Sequence, residues 1–197
     1  MEIISQGAEA ILKLKNFGTD IIVEKKRIEK KYRIIQLDNK LRKSRTRRET
    51  KILEKLNELK IPCPKLITSC DKKMIIEMEY IKGVPLKNVM NKEFSGQVGT
   101  IIAQMHSNNI VHADLTTANF LVKNDKVYVI DFGLSFVSQR TEDKAVDIHL
   151  FERSLNAHHT LIKKECWKEF LNNYNKYSES SNVLKHLIKV EKRGRNK

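Results

Sequence analysis

The sequence predicts an α+β fold in which a strand-rich N-terminal lobe, built around one helix, precedes a mainly helical C-terminal lobe. The first observation is a change of hydrophobic period: residues 10–14 and 20–25 have strand-type patterns, whereas apolar residues recur at helical spacing over residues 44–60. The second is that the later apolar runs are mostly helical, with one short hairpin among them. The first lobe therefore holds the strands and one helix, and the second lobe is mainly helical.

Composition limits the classes of protein to which the chain can belong. Its 197 residues are 40% hydrophobic, which suits one large domain or two small lobes. No apolar run approaches the roughly 20 residues that cross a bilayer, so no membrane contact is expected. The three cysteines match no zinc motif and predict reduced thiols. Since Met1 is not followed by a secretory leader, we expect a cytoplasmic protein, also nuclear if the cell is eukaryotic.

The chain is strongly basic, with 38 Lys and Arg against 24 Asp and Glu and a formal net charge of +14. Such an excess attracts polyanions, and nucleic acid is the obvious candidate, although solvated surface lysines would give the same count. The charge is dense in residues 25–48 and again in residues 192–197. The terminal run predicts a tail, beyond the last helix, that lies along phosphates.

The N-terminal lobe is predicted to bring a lysine and a glutamate together. Lys25 follows Ile21 and Val23 at period two, so its side chain should share their inward face of the strand. Glu49 lies three residues before Ile52, on the apolar face of the predicted helix. An acid there is costly unless a cation meets it, and Lys25 is the plausible partner. The alternative is that Glu49 lies at the edge of the apolar stripe, in solvent.

The C-terminal lobe follows a break in the pattern at residues 82–85, as a hinge between two lobes would. Apolar residues at helical spacing predict a helix around residues 98–105, and residues 120–130 indicate a tight hairpin. Further helices are predicted near residues 143–155, 161–174 and 182–190. The expected division is residues 1–80 for the first lobe, 81–191 for the second and 192–197 for the basic tail.

The most informative stretch is His-Ala-Asp-Leu-Thr-Thr-Ala-Asn, residues 112–119, with Asp-Phe-Gly one hairpin later at residues 131–133. Phosphoryl transfer from ATP needs metal ions that bridge the phosphates and a carboxylate near the incoming nucleophile. Asp114 lies five residues before Asn119, so a loop can direct the acid to the nucleophile while the amide oxygen binds a metal. Asp131, at the end of a strand, can hold Mg²⁺ between the β- and γ-phosphates.

Lys25 and Glu49 precede these motifs in the order that a protein-kinase-like site requires, so a minimal two-lobed protein-kinase-like fold is predicted. Lys25 is expected to contact the α- and β-phosphates, and Glu49 to hold it there. The catalytic candidates are Asp114, Lys25 and Glu49, and the metal candidates are Asn119 and Asp131, for Mg²⁺ or Mn²⁺. The predicted nucleotide-binding residues are Gly7, Ala8, Glu9, Ile11, Val23, Lys25, Met78, Glu79, Ile81, Leu121 and Ile130.

Other polar residues are expected to support the catalytic loop. Asp147 lies in a helical context and is predicted to be buried, accepting hydrogen bonds from the loop backbone; an ordinary surface acid is the alternative. His112 is expected to orient the loop by hydrogen bonding and not to act as a base or metal ligand. His158 and His159 are adjacent, hence on different faces of a helix, and are not expected to form a ligand pair.

Several longer runs resemble one family. They are Ser-Gln-Gly-Ala-Glu-Ala from Ser5, Lys-Lys-Arg from Lys25, Tyr-Arg from Tyr32, Arg-Thr-x-x-Glu from Arg45, Asp-Leu-Thr-Thr-x-Asn from Asp114 and Glu-Asp-Lys-Ala-Val-Asp from Glu142. Over nearly its whole length the chain resembles the small atypical kinase subunit of the KEOPS complex, also called EKC, which is related to the RIO kinases. The last two runs are far more discriminating than the general kinase signature.

The resemblance implies a function. Such subunits act as an ATPase beside the threonylcarbamoyl-transferase subunit, in a complex that makes N6-threonylcarbamoyladenosine (t6A) in tRNA, and they can phosphorylate serine and threonine. ATP, a divalent metal and the other KEOPS subunits are thereby implied as cofactors and partners. The basic C-terminal tail resembles the tRNA-contacting end of the family. The implied tRNA-binding residues are Lys192, Arg193, Arg195 and Lys197.

Departures from the general kinase pattern bear on the substrate. Residues 5–10 replace a three-glycine loop, Ala113 replaces the usual arginine, and Thr116 stands where many protein kinases have a lysine. No Ala-Pro-Glu follows the Asp-Phe-Gly run, so a peptide groove is doubtful and water is a plausible acceptor. Two alternatives stay open: a small-molecule phosphotransferase, and a catalytically silent scaffold that binds tRNA or partner proteins.

Overall fold

The computed structural model describes residues 2–7 and 9–195. The chain forms two compact units, of which the first ends at Ile81 and the second begins at Lys82. The first unit is strand-rich and the second is mainly helical, so the predicted α+β fold class is confirmed. No helix within the described ranges is long and apolar enough to cross a membrane.

The first unit is a five-stranded antiparallel sheet with one long helix packed against it. The strand order is β1-β2-β3-β5-β4, and α1 contacts β4 and β5. The elements are β1 (Glu2–Gln6), β2 (Ala10–Phe17), β3 (Asp20–Arg27), α1 (Ile35–Glu58), β4 (Leu66–Cys70) and β5 (Ile75–Glu79).

Strand β3 directs alternate side chains into the interior of this unit. Val23, Lys25 and Arg27 are 8%, 7% and 4% exposed, as expected for every second residue of a strand. Ile21 is 51% exposed because it lies at the turn end of the strand, so its predicted place on the inward face is wrong. The face of β3 that carries Lys25 therefore buries one apolar residue and two cations, which require a negative charge nearby.

Helix α1 begins nine residues earlier than predicted, at Ile35 instead of Ser44. Its first turns do contain apolar residues, but Ile35 and Leu37 are 63% and 49% exposed and do not continue the buried stripe, which is why the hydrophobic pattern missed them. They are held by polar contacts instead: Arg42 donates from Nε to Asp38 at 2.6 Å, four residues away on the same face. Downstream, Ile52 and Leu56 of the predicted apolar stripe are 3% and 0% exposed.

The second unit combines short strands with four longer helices. Its strands form a two-stranded sheet, β10-β7, and a three-stranded sheet, β6-β8-β9. The strands are β6 (Val84–Pro85), β7 (Ile110–Val111), β8 (Phe120–Lys123), β9 (Lys126–Val129) and β10 (Phe136–Val137). The helices are α2 (Leu86–Val89), α3 (Lys92–Ser107), α4 (Thr141–His158), α5 (Lys163–Tyr174) and α6 (Ser180–Arg195).

The hairpin β8–β9 separates the two predicted catalytic motifs. Its turn residues, Asn124 and Asp125, have φ values of 49° and 56°, the left-handed conformation that a two-residue hairpin turn requires. Asn and Asp tolerate this conformation better than other non-glycine residues do. The short turn brings the residue after β9 back to the residue before β8.

Helix α6 runs to Arg195, whereas the sequence predicted an end near Val190 and a basic tail beyond it. Residues 192–195 therefore continue the helix, and the prediction that they form a separate extension is wrong. Lysine and arginine are good helix formers, which allows the basic run to extend the last helix. Lys197 lies outside the described residues.

Candidate active site

In the first unit, two cations share one buried carboxylate. Lys25 donates from Nζ to Oε1 of Glu49 at 2.6 Å, and Arg27 donates from Nη2 to Oε2 at 2.5 Å. Glu49 is 1% exposed, which excludes the alternative that it lies in solvent. The predicted Lys25–Glu49 contact is thus confirmed, while Arg27 is a partner that sequence reasoning missed. The strand period could have revealed it, because Arg27 follows Lys25 by two residues.

The second unit places Asp114 and Asn119 in direct contact. The side-chain amide of Asn119 donates to the backbone oxygen of Asp114 at 2.8 Å and to its Oδ2 at 2.9 Å. Because both amide hydrogens serve Asp114, the amide oxygen is the remaining ligand atom of Asn119. An oxygen donor is what Mg²⁺ prefers, so the orientation of this amide fits the predicted metal ligand.

Asp131 is the second residue after β9 and has a strained backbone conformation. Its φ is 63°, in the left-handed region that non-glycine residues rarely adopt, and its Oδ1 accepts from the backbone N–H of Gly133 at 3.2 Å. The preceding residue, Ile130, donates its N–H to the backbone oxygen of Asn119 at 3.0 Å. The two predicted metal ligands are thereby tied to one another through the backbone. Strain of this kind is characteristic of functional sites.

His112 also joins the two motifs. Its Nε2 donates to the backbone oxygen of Ile130 at 3.0 Å, and its Nδ1 accepts from the backbone N–H of Asp114 at 3.3 Å. One ring nitrogen must donate and the other must accept, which fixes the tautomer with the proton on Nε2. The predicted orienting role is confirmed by these bonds, which occupy both ring nitrogens.

Asp147 on α4 clamps the start of the catalytic loop. It is 1% exposed and accepts from the backbone N–H groups of His112 at 2.7 Å and Ala113 at 2.8 Å. Ala113 has a φ of 66°, so the clamp holds a second left-handed residue in place. His106 Nε2 lies 3.2 Å from the same carboxylate. The predicted role of Asp147 as a buried acceptor is confirmed, and the alternative of a surface acid is excluded.

Two serines to which the sequence analysis assigned no role also support the catalytic loop. Ser154, seven residues after Asp147 and hence on the same face of α4, accepts from the backbone N–H of Thr117 at 3.0 Å. Ser135 donates from Oγ to the backbone oxygen of His112 at 2.9 Å and is fully buried. The helical spacing from Asp147 was a usable signal for Ser154.

The nucleotide-binding candidates of the first unit are spread over its sheet. Val23 and Met78 are cross-strand partners on β3 and β5, and Ile11 lies on β2 opposite Lys26. Gly7 donates its backbone N–H to Ala10 across the turn between β1 and β2, at 3.0 Å. Ala8 lies outside the described residues.

Other candidates are engaged within their own unit. The Glu9 carboxylate accepts from Arg45, and this hydrogen bond lowers the pKa of Glu9. Glu79 accepts from the backbone N–H of Lys65 through Oε2 at 3.2 Å, and Ile81 is 4% exposed. In the second unit, Leu121 lies on β8. The nucleotide contacts assigned to these residues remain predictions.

At the basic end of α6, the predicted tRNA-binding residue Arg193 forms an ion pair with an acid of α4. Arg193 donates from Nη1 to Oε1 of Glu142 at 2.6 Å, and this bond lowers the pKa of the Glu142 carboxyl. Lys192 is exposed. A phosphate would compete with Glu142 for the Arg193 guanidinium.

The RIO domain family matches residues 4–176 of the chain. The chain belongs to the RIO domain family. Within it, the chain is 41% identical to the EKC/KEOPS complex subunit BUD32 of Enterocytozoon bieneusi, with 99% of this chain and 98% of that protein covered. It is 36% identical to the KEOPS complex subunit Bud32 of Pyrococcus abyssi, over 99% of this chain and 96% of that protein. The resemblance found in the sequence motifs is therefore confirmed.

Two further comparisons place this RIO domain in a wider setting. It is 39% identical to the probable bifunctional tRNA threonylcarbamoyladenosine biosynthesis protein of Methanococcus vannielii, covering 98% of this chain but 36% of that longer protein. A solved structure of WaaP in complex with acyl carrier protein matches with a TM-score of 0.65 at 14% identity, over 97% of this chain and 88% of that chain. The latter similarity concerns the fold alone.

Proposed function

We propose that this RIO domain is the ATP-hydrolysing, kinase-like subunit of a KEOPS-type complex that modifies tRNA to t6A. Three lines of support converge: family membership over residues 4–176, the similarity to BUD32 subunits and the polar geometry of the catalytic loop. The observation that carries most weight is the contact between Asn119 and Asp114, because it fixes the orientation of the Asn119 amide and leaves its oxygen available as a metal ligand.

The proposal assigns a role to each group. Asp131 and the amide oxygen of Asn119 would hold Mg²⁺, whose charge stabilises the phosphates during transfer. Asp114 would orient the incoming nucleophile, either water or a serine or threonine hydroxyl. Lys25, fixed by Glu49, would contact the α- and β-phosphates. Each of these roles uses a side chain whose own unit already orders it by hydrogen bonding.

ATP turnover by matched variants tests this proposal. Asp131→Asn removes a charge from the metal site, and Asp125→Asn makes the same change at another left-handed position, with φ values of 63° and 56°. We expect Asp131→Asn to lose at least about tenfold in turnover, roughly 1.4 kcal/mol of barrier, while Asp125→Asn retains it. Lys25→Ala should lower ATP turnover by a similar factor. Lys26→Ala should not, because the Lys26 side chain is exposed on the opposite face of β3.

The assay should be run for the chain alone and with the threonylcarbamoyl-transferase subunit, since turnover is expected in that complex. Wild-type turnover that Asp131→Asn and Lys25→Ala leave unchanged would refute the mechanism, and absence of wild-type turnover in both settings would favour the scaffold alternative. Phosphorylation of a serine or threonine substrate, measured with the same variants, tests the finer proposal of protein kinase activity. The cytoplasmic location expected from the sequence stays a prediction.

Contact with tRNA is a separate part of the proposal and has its own test. Each phosphate that a cation neutralises releases counterions, so the logarithm of the binding constant falls with the logarithm of salt concentration. Deleting residues 192–197 should weaken tRNA binding and flatten this slope by about 0.7–0.9 for each lost phosphate contact. Changing exposed Lys72 and Lys73 to alanine is the control. Equal slopes for the full-length and shortened chains would remove the assignment.

A further inference from the structure

Basic residues of the first unit line one pocket beside the β3–α1 connection. The pocket wall consists mainly of four arginines and a lysine, with Glu9 as its acid: Arg27, Lys30, Arg33, Arg42, Arg45 and Glu9. Three of these arginines belong to the family-like runs noted in the sequence, yet the proposed ATPase chemistry uses none of them directly. The pocket lies wholly within the first unit.

The carboxylates around the pocket do not balance its arginines. Glu49 binds Arg27 at 2.5 Å but is shared with Lys25 at 2.6 Å. Asp38 binds Arg42 at 2.6 Å and lies 3.5 Å from Arg33.

The remaining carboxylate, Glu9, is shared in the same way. It accepts from Arg45 and lies 3.7 Å from Arg27. Each of the three acids thus serves two cations, so the cluster keeps an excess of positive charge in a partly buried place.

Arg27 provides an independent sign of a ligand. Its side chain is 4% exposed, and its Nε is buried without a hydrogen-bond partner among the described residues. A buried N–H group without a partner is destabilising, and a phosphate or a similar oxyanion is the acceptor that a guanidinium fits best.

We propose that this pocket binds a phosphate group through Arg27, Arg33, Arg42 and Arg45. A phosphate carries up to two negative charges and several acceptor oxygens, so one group can both offset the excess charge and supply the acceptor that Arg27 Nε lacks. The ligand is either free orthophosphate, which ATP hydrolysis releases, or a phosphate of RNA. No group assigned to metal binding or nucleophile activation takes part, so the site can exist whether or not the chain hydrolyses ATP.

Orthophosphate titrated into the full-length chain at constant ionic strength tests the proposal by calorimetry. Arg33→Gln and Arg42→Gln each remove one pocket cation and should weaken phosphate binding at least tenfold. Arg47→Gln is the matched control. Arg47 lies on α1 with Arg42, has a side chain that is 60% exposed and pairs with Asp71, which does not line the pocket. If Arg42→Gln fails to fold after losing its contact with Asp38, the half-buried Arg33 decides the outcome.

Two further arms identify the site and the source of the phosphate. Asn119→Ala should retain orthophosphate binding, because Asn119 belongs to the proposed metal site of the second unit and does not line this pocket. A short RNA with a 5′-phosphate that binds more tightly than orthophosphate, and loses this advantage in Arg33→Gln, would identify RNA as the source. The inference is overturned if the wild type binds neither probe, or if Arg33→Gln and Arg42→Gln bind as Arg47→Gln does.

Discussion

Replacing Asp147 by asparagine tests whether one buried carboxylate holds the catalytic loop in place. In the wild type, Oδ1 accepts from the N–H of Ala113, and Oδ2 accepts from the N–H of His112 and faces Nε2 of His106. Asparagine keeps the shape of the side chain but turns one acceptor into a donor. Whichever way the amide is oriented, a backbone N–H of the loop then faces an NH₂ group without an acceptor.

The cost follows from these contacts. A hydrogen bond to a charged group contributes about 1.5–3 kcal/mol, so losing one bond and weakening the others should destabilise the folded state by about 3 kcal/mol. For a chain of this length, about 1 kcal/mol corresponds to roughly 2–4 °C in melting temperature, which gives a decrease of about 6–12 °C. ATP turnover should fall as well, because the loop that Asp147 holds carries Asp114.

Thermal unfolding followed by circular dichroism measures this effect, and Asp143→Asn is the matched control. Asp143 lies one turn earlier on α4, has a side chain that is 22% exposed and accepts from Ser138 Oγ at 2.6 Å. Its replacement should cost no more than about 1 kcal/mol, because the amide oxygen of asparagine can still accept the single bond from Ser138 at this partly exposed position. Melting temperatures of the two variants within about 2 °C of each other would refute the reasoning that the buried clamp is the stronger element.

Two further predictions concern stability. Burial raises the pKa of the Cys63 thiol from 9.0 to about 12, so between these pH values the unfolded chain releases a proton that the folded chain keeps. The free energy of unfolding should therefore fall as pH rises through this window, and Cys63→Ala should flatten that slope in urea denaturation; an unchanged slope would contradict it. Separately, a Cβ on Gly99 would lie 2.3 Å from the backbone oxygen of Phe170, whereas one on Gly96 would meet the movable amide of Asn173 at 2.9 Å. Gly99→Ala should thus destabilise the α3–α5 contact by about 1–3 kcal/mol, and more than Gly96→Ala does, as chemical denaturation of both variants would show.

Sequence reasoning predicted the fold well where hydrophobic periodicity determines structure. The apolar stripe of α1 and the hairpin between the two catalytic motifs are present as expected. It failed where polar contacts take over: the first turns of α1 depend on the Asp38–Arg42 pair, and the basic end of α6 continues a helix. An apolar pattern does not reveal polar contacts of this kind.

The polar contacts of the site were predictable to the extent that they involve local chemistry. Asp147 was expected as a buried acceptor because it stands on the apolar side of a helix, and the Lys25–Glu49 pair followed from burial and charge. Arg27 was missed because its partner is the same carboxylate as that of Lys25, and a pairwise argument stops once Glu49 has one cation. The backbone strain at Asp131 depends on tertiary contacts that no residue pattern encodes.

The shared carboxylate changes how a variant of Lys25 should be interpreted. Removing one partner of an isolated buried ion pair leaves an uncompensated charge, which is strongly destabilising and would confuse loss of folding with loss of chemistry. In the wild type Arg27 also binds Oε2 of Glu49, at 2.5 Å, so we expect the carboxylate to keep one cation of the same strand when Lys25 is replaced. A Lys25 variant that unfolds like the wild type yet turns over ATP poorly would therefore separate contact with the phosphates from support of the first unit. Replacing Lys25 in a chain that also lacks Arg27 would no longer distinguish the two effects, because Glu49 would then have neither of its two β3 cations.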